Sequence, residues 1–160
     1  MLMSACQSND PVSVLEGGYT YKVSGVVSII YPDTIIDVHL TPETGTMVLT
    51  RSNEENEVTM NFNQNSGDVF DISATVSNDS LFLNTAGRYL DVKVATDTVL
   101  LGAAVLEHNE IFNVTVNGEG TRLNNDDLCL YLTYTGTARN DAGIRISGYN
   151  IHMHCKRNAH

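Results

Sequence analysis

The sequence predicts an all-β protein built from one antiparallel system of strands, arranged as a barrel or as a sandwich. Three observations carry this. Apolar and polar residues alternate with period two along most of the chain. Gly, Asn, Asp and Pro clusters interrupt the alternation at intervals of roughly ten residues. No helix long enough to serve as a parallel crossover is evident between the strands.

From Tyr19 to Tyr31 the face Tyr19, Tyr21, Val23, Val27, Ile29 and Tyr31 opposes Thr20, Lys22, Ser24 and Ser28. Pro32-Asp33 breaks this strand. Ile36, Val38 and Leu40 alternate with Asp37 and His39, and Pro42-Glu43-Thr44-Gly45 reads as a turn before Met47 and Leu49. Val58, Met60 and Phe62 form the next apolar face, followed by the turn Asn65-Ser66-Gly67-Asp68. Phe70, Ile72, Ala74 and Val76 come next, up to the turn Asn78-Asp79. Leu81 and Leu83 read as a short strand, and Leu90, Val92 and Val94 as a separate one. The apolar sets Phe112-Val114-Val116, Leu128-Leu130-Leu132-Tyr134, Ile144-Ile146 and Ile151-Met153-Cys155 complete the series. Thr98 to Glu107 is apolar almost throughout and fits a short buried helix at one end as well as a strand covered on both faces.

The apolar phase is even at Ile146 and odd at Ile151, so one extra residue near Gly148-Tyr149-Asn150 is expected, as a β-bulge supplies. With that bulge Cys155 joins the core face while Cys129 lies opposite Leu128 and Leu130. The two thiols are then on different sides of the sheet, and a disulfide would require a one-residue slip.

Composition narrows the functions. The 160 residues, 17.5 kDa, make one domain. Nine basic and 19 acidic residues give a formal charge of −10, with only Lys22, Lys93 and Lys156 as lysines. A nucleic-acid partner, or an anionic membrane met through a basic patch, is excluded by that count. The apolar share of 42% against 18% charged argues against disorder, and no apolar run approaches the ~18 residues of a spanning helix.

No catalytic motif is present, so the expectation is a protein that is not an enzyme and carries no cofactor. His152-Met153-His154 puts two imidazoles on one strand face, too few for a zinc site, and Asn124-Asn125-Asp126-Asp127 lacks the ligand spacing of a calcium loop. Seven tyrosines with no tryptophan are the most suggestive feature. A tyrosine joins an apolar ring to a polar tip, which suits a barrel mouth or ligand rim. Tyr19, Tyr21, Tyr31, Tyr134 and Tyr149 are the candidate ligand-binding residues, with Tyr89 a further member of the set.

Leu2-Met3-Ser4-Ala5-Cys6 resembles the end of a bacterial lipoprotein signal peptide, which makes Cys6 the expected lipidation site. Residues 1–18 are then read as signal remnant and tether, and residues 19–160 as the domain. Phe112 to Thr121, followed by Leu128-Cys129-Leu130-Tyr131-Leu132, resembles the closing strands of the small calycin-like lipoproteins of Gram-negative gut commensals, and Val58 to Phe62 with Asp71-Ile72 resembles their middle. That resemblance implies an up-and-down β-barrel of about eight or more strands, with a β-sandwich as the alternative. It also implies a lipid-anchored monomer in the periplasm or at the cell surface, bound to the outer membrane. Its partner is expected to be a small apolar or amphipathic ligand, or an envelope protein; in the sandwich alternative, loops or an edge strand recognise glycan or protein. The lipocalin tryptophan of the first strand is absent, so retinoid-type ligands are not implied. Large residues expected to point inward (Tyr21, Phe62, Phe70 and Phe112) favour a barrel filled by side chains.

Overall fold

The computed structural model describes residues 10–96 and 106–158. Among the described residues the strands are β1 (Gly17–Ser24), β2 (Val26–Ile30), β3 (Ile35–His39), β4 (Glu43–Arg51), β5 (Glu57–Gln64), β6 (Val69–Ser77), β7 (Ser80–Thr96), β8 (Leu106–Arg122), β9 (Asp127–Ala138) and β10 (Arg145–Arg157). All pair antiparallel, in the order β1-β4-β5-β6-β7-β8-β9-β10, and β10 returns to β1 to close a ring of eight. The ring excludes the sandwich alternative. Strands β2 and β3 continue β1 and β4 past kinks at Gly25 and at Leu40–Pro42, and β2 keeps β10 as its neighbour. At Gly25 a Cβ would come within 2.8 Å of Ile151 Cδ1, so only glycine lets the first strand bend against the β10 bulge.

The period-two rhythm fills the interior. Val23, Val27, Met47, Leu49, Met60, Phe62, Phe112, Leu130 and Met153 are all buried, and Phe70 is half-buried against them. The expected β10 bulge lies between Gly148 and Ile151, with Asn150 at φ 55°. Register puts Cys155 opposite Leu128 and Cys129 opposite His154, and both thiols are free.

Several expectations need correction. Leu81–Leu83 and Leu90–Val94 belong to one long strand, β7, because a second bulge between Leu83 and Ala86 moves the inward phase from odd to even positions. Tyr89 therefore points outward and is 65% exposed. Tyr149 sits in the β10 bulge, where the phase shift turns it out to water at 67% exposure, not into the lining. Glu43 opens β4 rather than forming a turn. The ambiguous segment Thr98–Glu107 lies outside the described residues up to 105, and Leu106–Glu107 begin β8. Part of the expected tether also belongs to the folded unit, since Val12 and Leu15 are fully buried.

That N-terminal stretch seals one end of the barrel. Arg157 donates to Glu16 O at 2.7 Å, Val14 O at 2.6 Å and the Tyr19 hydroxyl at 2.8 Å, while its guanidinium lies 4.9 Å from the Tyr19 ring centroid. Tyr19 in turn donates to Leu15 O at 2.7 Å. The carbonyls of a segment without regular structure are thus satisfied by one strand-end arginine.

The wall is incomplete at one place. Strands β6 and β7 pair only over Ala74–Ser77 and Ser80–Leu83, and a side-chain bond from Asn84 Nδ2 to Ser73 Oγ at 2.9 Å marks the last link. Beyond it Val69–Ser73 pair with β5 alone, and β7 from Ala86 onward pairs with β8 alone. The two strands splay, and the gap between them leads towards the interior.

Candidate ligand cleft

The gap is an open cleft of about 570 Å³ lined by Asp68, Val69 and Phe70 on one side and by Arg88, Tyr89 and Val114 on the other. Arg88 reaches its floor because the β7 bulge places even-numbered residues inside. Its side chain is only 6% exposed, and that of Glu43 only 19%. Arg88 Nη1 donates to Glu43 Oε1 at 3.1 Å and Nη2 to Oε2 at 3.4 Å, a two-pronged ion pair across the barrel, and Nε donates to Tyr89 O at 3.2 Å.

An aromatic stack supports the pair. The guanidinium lies 4.1 Å from the Phe70 ring centroid. Phe70 stacks on Phe62 at 4.8 Å, and Phe62 meets Tyr21 edge to face at 5.3 Å. The Tyr21 hydroxyl projects over Gly45, where a Cβ would stand 2.8 Å from it and only 2.3 Å from Asn63 O, so the missing side chain makes room for the β5 backbone and for this oxygen. A second, smaller pocket of about 40 Å³ also borders Glu43; buried Val23, Leu90, Val92 and Tyr134 line it together with the exposed His39, Asp91 and Lys93.

Two buried polar atoms near the pair, the Tyr21 hydroxyl and Gln64 Nε2, have no hydrogen-bond partner among the described residues, and the Tyr134 hydroxyl lies beside the Arg88 guanidinium. Burial pushes the Tyr134 hydroxyl up to about 12, and burial with the Glu43 charge raises Tyr21 as well. A hydroxyl raised in this way contributes stability that is complete below pH 10, its unfolded value, and lost as pH climbs through its folded value. The melting temperature is therefore expected to fall between pH 10 and 12, and to fall less in Tyr21→Phe/Tyr134→Phe. Calorimetry across that window checks this; equal losses in both proteins would contradict it.

The five candidate tyrosines part company. Tyr21 and Tyr134 meet at the ion pair. Tyr19 is buried in the sealed end, where it serves the Arg157 latch. Tyr31 stands half-buried beyond the β1–β2 kink, its hydroxyl also unpartnered. Tyr149 lies outside, as described. Glu43 and Arg88, absent from the tyrosine set, form the centre of this group, and Gln64 is buried nearby. A signal for Arg88 was present, since counting back from Leu90, Val92 and Val94 puts a charge on an apolar phase. Elsewhere His154 Nε2 lies 2.9 Å from Asp127 Oδ1, His152 packs beside Tyr131, and Asn124 Oδ1 accepts the Asp126 and Asp127 amides as an ordinary polar turn.

Fold and cleft together define a closed, side-chain-filled β-barrel with a lateral opening over a buried ion pair. No protein-family model matches the chain, and no curated protein matches it. Among solved structures, a redesigned β-barrel is 14% identical with a TM-score of 0.40, over 94% of this chain and 96% of that one. A barrel described as EF1p2_mFAP2b bound to DFHBI is 11% identical with a TM-score of 0.45, over 94% and 98%. A Trp-176-Ala mutant of the vaccine antigen transferrin-binding protein B from Haemophilus parasuis Hp5 is 10% identical with a TM-score of 0.40, over 91% of this chain and 28% of that one. At such identities and scores these likenesses carry no information about function.

Proposed function

We propose that this chain is a non-enzymatic binding protein of the bacterial cell envelope, anchored by lipid on Cys6, that takes a small amphipathic ligand in the β6–β7 cleft. The observation that carries the binding role is the splayed wall. It exposes Phe70, Val69 and Tyr89 beside a guanidinium, the mixture of apolar surface and few polar groups that ligand sites share. The filled core leaves this opening, not a central cavity, as the place for a ligand. The non-enzymatic reading rests on the lack of a catalytic motif in the sequence and is supported by the floor of the cleft, where Arg88 and Glu43 are engaged with each other and, among the described residues, no nucleophile stands beside a base. The anchor and the envelope location rest on the Leu2–Cys6 pattern and the calycin-like resemblance.

Gly87 gives a clean test. It lies exposed on the cleft wall, and a Cβ there meets nothing closer than Val114 O at 4.0 Å. Gly87→Phe should fill the cleft without disturbing the core. Nile red, a neutral apolar dye, is expected to bind the unaltered protein and to lose at least tenfold in affinity in Gly87→Phe, read by fluorescence titration. Undiminished binding contradicts the cleft as the site. Palmitate labelling in a bacterial host should disappear in Cys6→Ser, and labelling that persists contradicts the anchor.

A further inference from the structure

We propose that the outer face of β7, β8 and β9 carries a second binding site, for a small methylated ammonium cation held between two aromatic rings and a carboxylate. It shares no residue with the β6–β7 cleft and stands whether or not that cleft binds a ligand. Strand register builds it. Phe82 on β7 lies opposite Glu119 on β8, and Glu119 lies opposite Tyr131 on β9. Leu81, Leu83, Leu130 and Leu132 take the inward phase, so the row Phe82-Glu119-Tyr131 faces outward, and all three side chains are exposed. Neighbouring strands run about 4.8 Å apart, so each ring stands one strand from the carboxylate and the rings stand two strands from each other. The row lies in an open groove of about 420 Å³, rimmed by the polar side chains of Asn117, Thr133 and Asn150, the last carried by the β10 bulge.

Charge selects the class of ligand. Elsewhere the barrel supplies its own cation to its rings: Arg88 lies over Phe70, Arg139 over Tyr89 and Arg157 over Tyr19. Among the described residues no arginine or lysine lies over Phe82 or Tyr131, and no side chain pairs with the Glu119 carboxylate between them. His152 meets the Tyr131 ring at 5.3 Å from the β10 side, opposite Glu119, and so props the ring without covering the groove. A cation in the groove meets two ring quadrupoles and a carboxylate, on a chain whose formal charge is −10. An anion is repelled by the same groups. Hydration decides between kinds of cation. A primary ammonium is compact and strongly hydrated, and an exposed carboxylate returns little for the water it would lose. A methylated ammonium gives up water more easily and lays its methyl groups on the rings.

Choline, ethanolamine and 3,3-dimethylbutan-1-ol form a matched set of probes. They share a hydroxyethyl chain and end in a quaternary ammonium, a primary ammonium and a neutral group of the quaternary shape. Titrated into isotope-labelled protein at neutral pH and low salt, and followed by NMR, choline is expected to bind at least fivefold more tightly than either of the others and to shift the signals of Phe82, Glu119 and Tyr131. Phe82→Leu/Tyr131→Leu should weaken choline at least fivefold and Glu119→Gln at least threefold. All three side chains are exposed, so these variants keep the fold, which their amide spectra check. Phosphocholine separates a free cation from a lipid head group, and its phosphate should make it bind less tightly than choline. Gly87→Phe, which fills the β6–β7 cleft, should leave choline binding unchanged. The assignment is overturned if choline does not bind, if the neutral alcohol or ethanolamine matches it, or if its affinity survives the ring or carboxylate substitutions. Tighter binding of phosphocholine would make a lipid head the ligand, and loss of choline binding in Gly87→Phe would move the cation to the cleft; either result overturns the site as stated.

Discussion

Replacing Glu43 with alanine is expected to destabilise the barrel by about 3 kcal/mol, because it strands the Arg88 guanidinium inside the wall. The Arg88 side chain is 6% exposed and its bonds to Glu43 are replaced by nothing. The cleft admits some water, which holds the figure at the lower end of the range for breaking a buried pair. Equilibrium unfolding in urea measures the loss. The double change Glu43→Leu/Arg88→Met is expected to recover most or all of it, since a buried ion pair is seldom worth more than well-packed apolar groups of similar size. A single variant as stable as the parent would mean that the guanidinium swings out to water, and that the pair does not build the cleft floor.

Phe62→Ala is expected to cost about 4 kcal/mol. The ring is fully buried, and it is the link between Tyr21 on one side and Phe70 on the other. Removal loses transfer energy, leaves a cavity the barrel wall cannot collapse into, and withdraws support from the ring under Arg88. Phe62→Leu, which keeps most of the volume, should cost less than half as much. Urea midpoints for the two variants check the order, and a loss below about 1 kcal/mol for the alanine change would show that the interior is looser than its side chains indicate.

Much of the barrel was legible in the sequence, because a strand reports its buried face residue by residue. Tyr21, Phe62 and Phe112 point inward as their phase requires, and the odd-to-even change between Ile146 and Ile151 located the β10 bulge. The second bulge was harder to see. The inward phase is odd at Leu81 and Leu83 and even at Leu90, Val92 and Val94, and such a change reads equally as the gap between two strands. Arg88 stays hidden in that gap, since a charge on an inward phase is visible only once the phase is known. Glu43 was hidden by its neighbours, because Pro42 and Gly45 make the tetrapeptide look like a turn, and nothing local shows that Gly45 is crowded by the β5 backbone at Asn63 and by the Tyr21 hydroxyl. The splaying of β6 from β7 is a property of the closed ring, set by where pairing stops, and no residue in either strand announces it.

Amide hydrogen exchange along β7 tests the open wall most directly. Strand neighbours on both sides protect successive amides, whereas a strand paired on one side alone protects every second one. From Gly87 to Lys93 the structure pairs β7 only with β8. Alternate amides in that stretch should exchange quickly in the native protein, while those of Leu128–Tyr134 in β9, flanked by β8 and β10, stay protected. Uninterrupted protection from Gly87 to Lys93 would mean that β6 and β7 are zipped together and that the cleft does not exist.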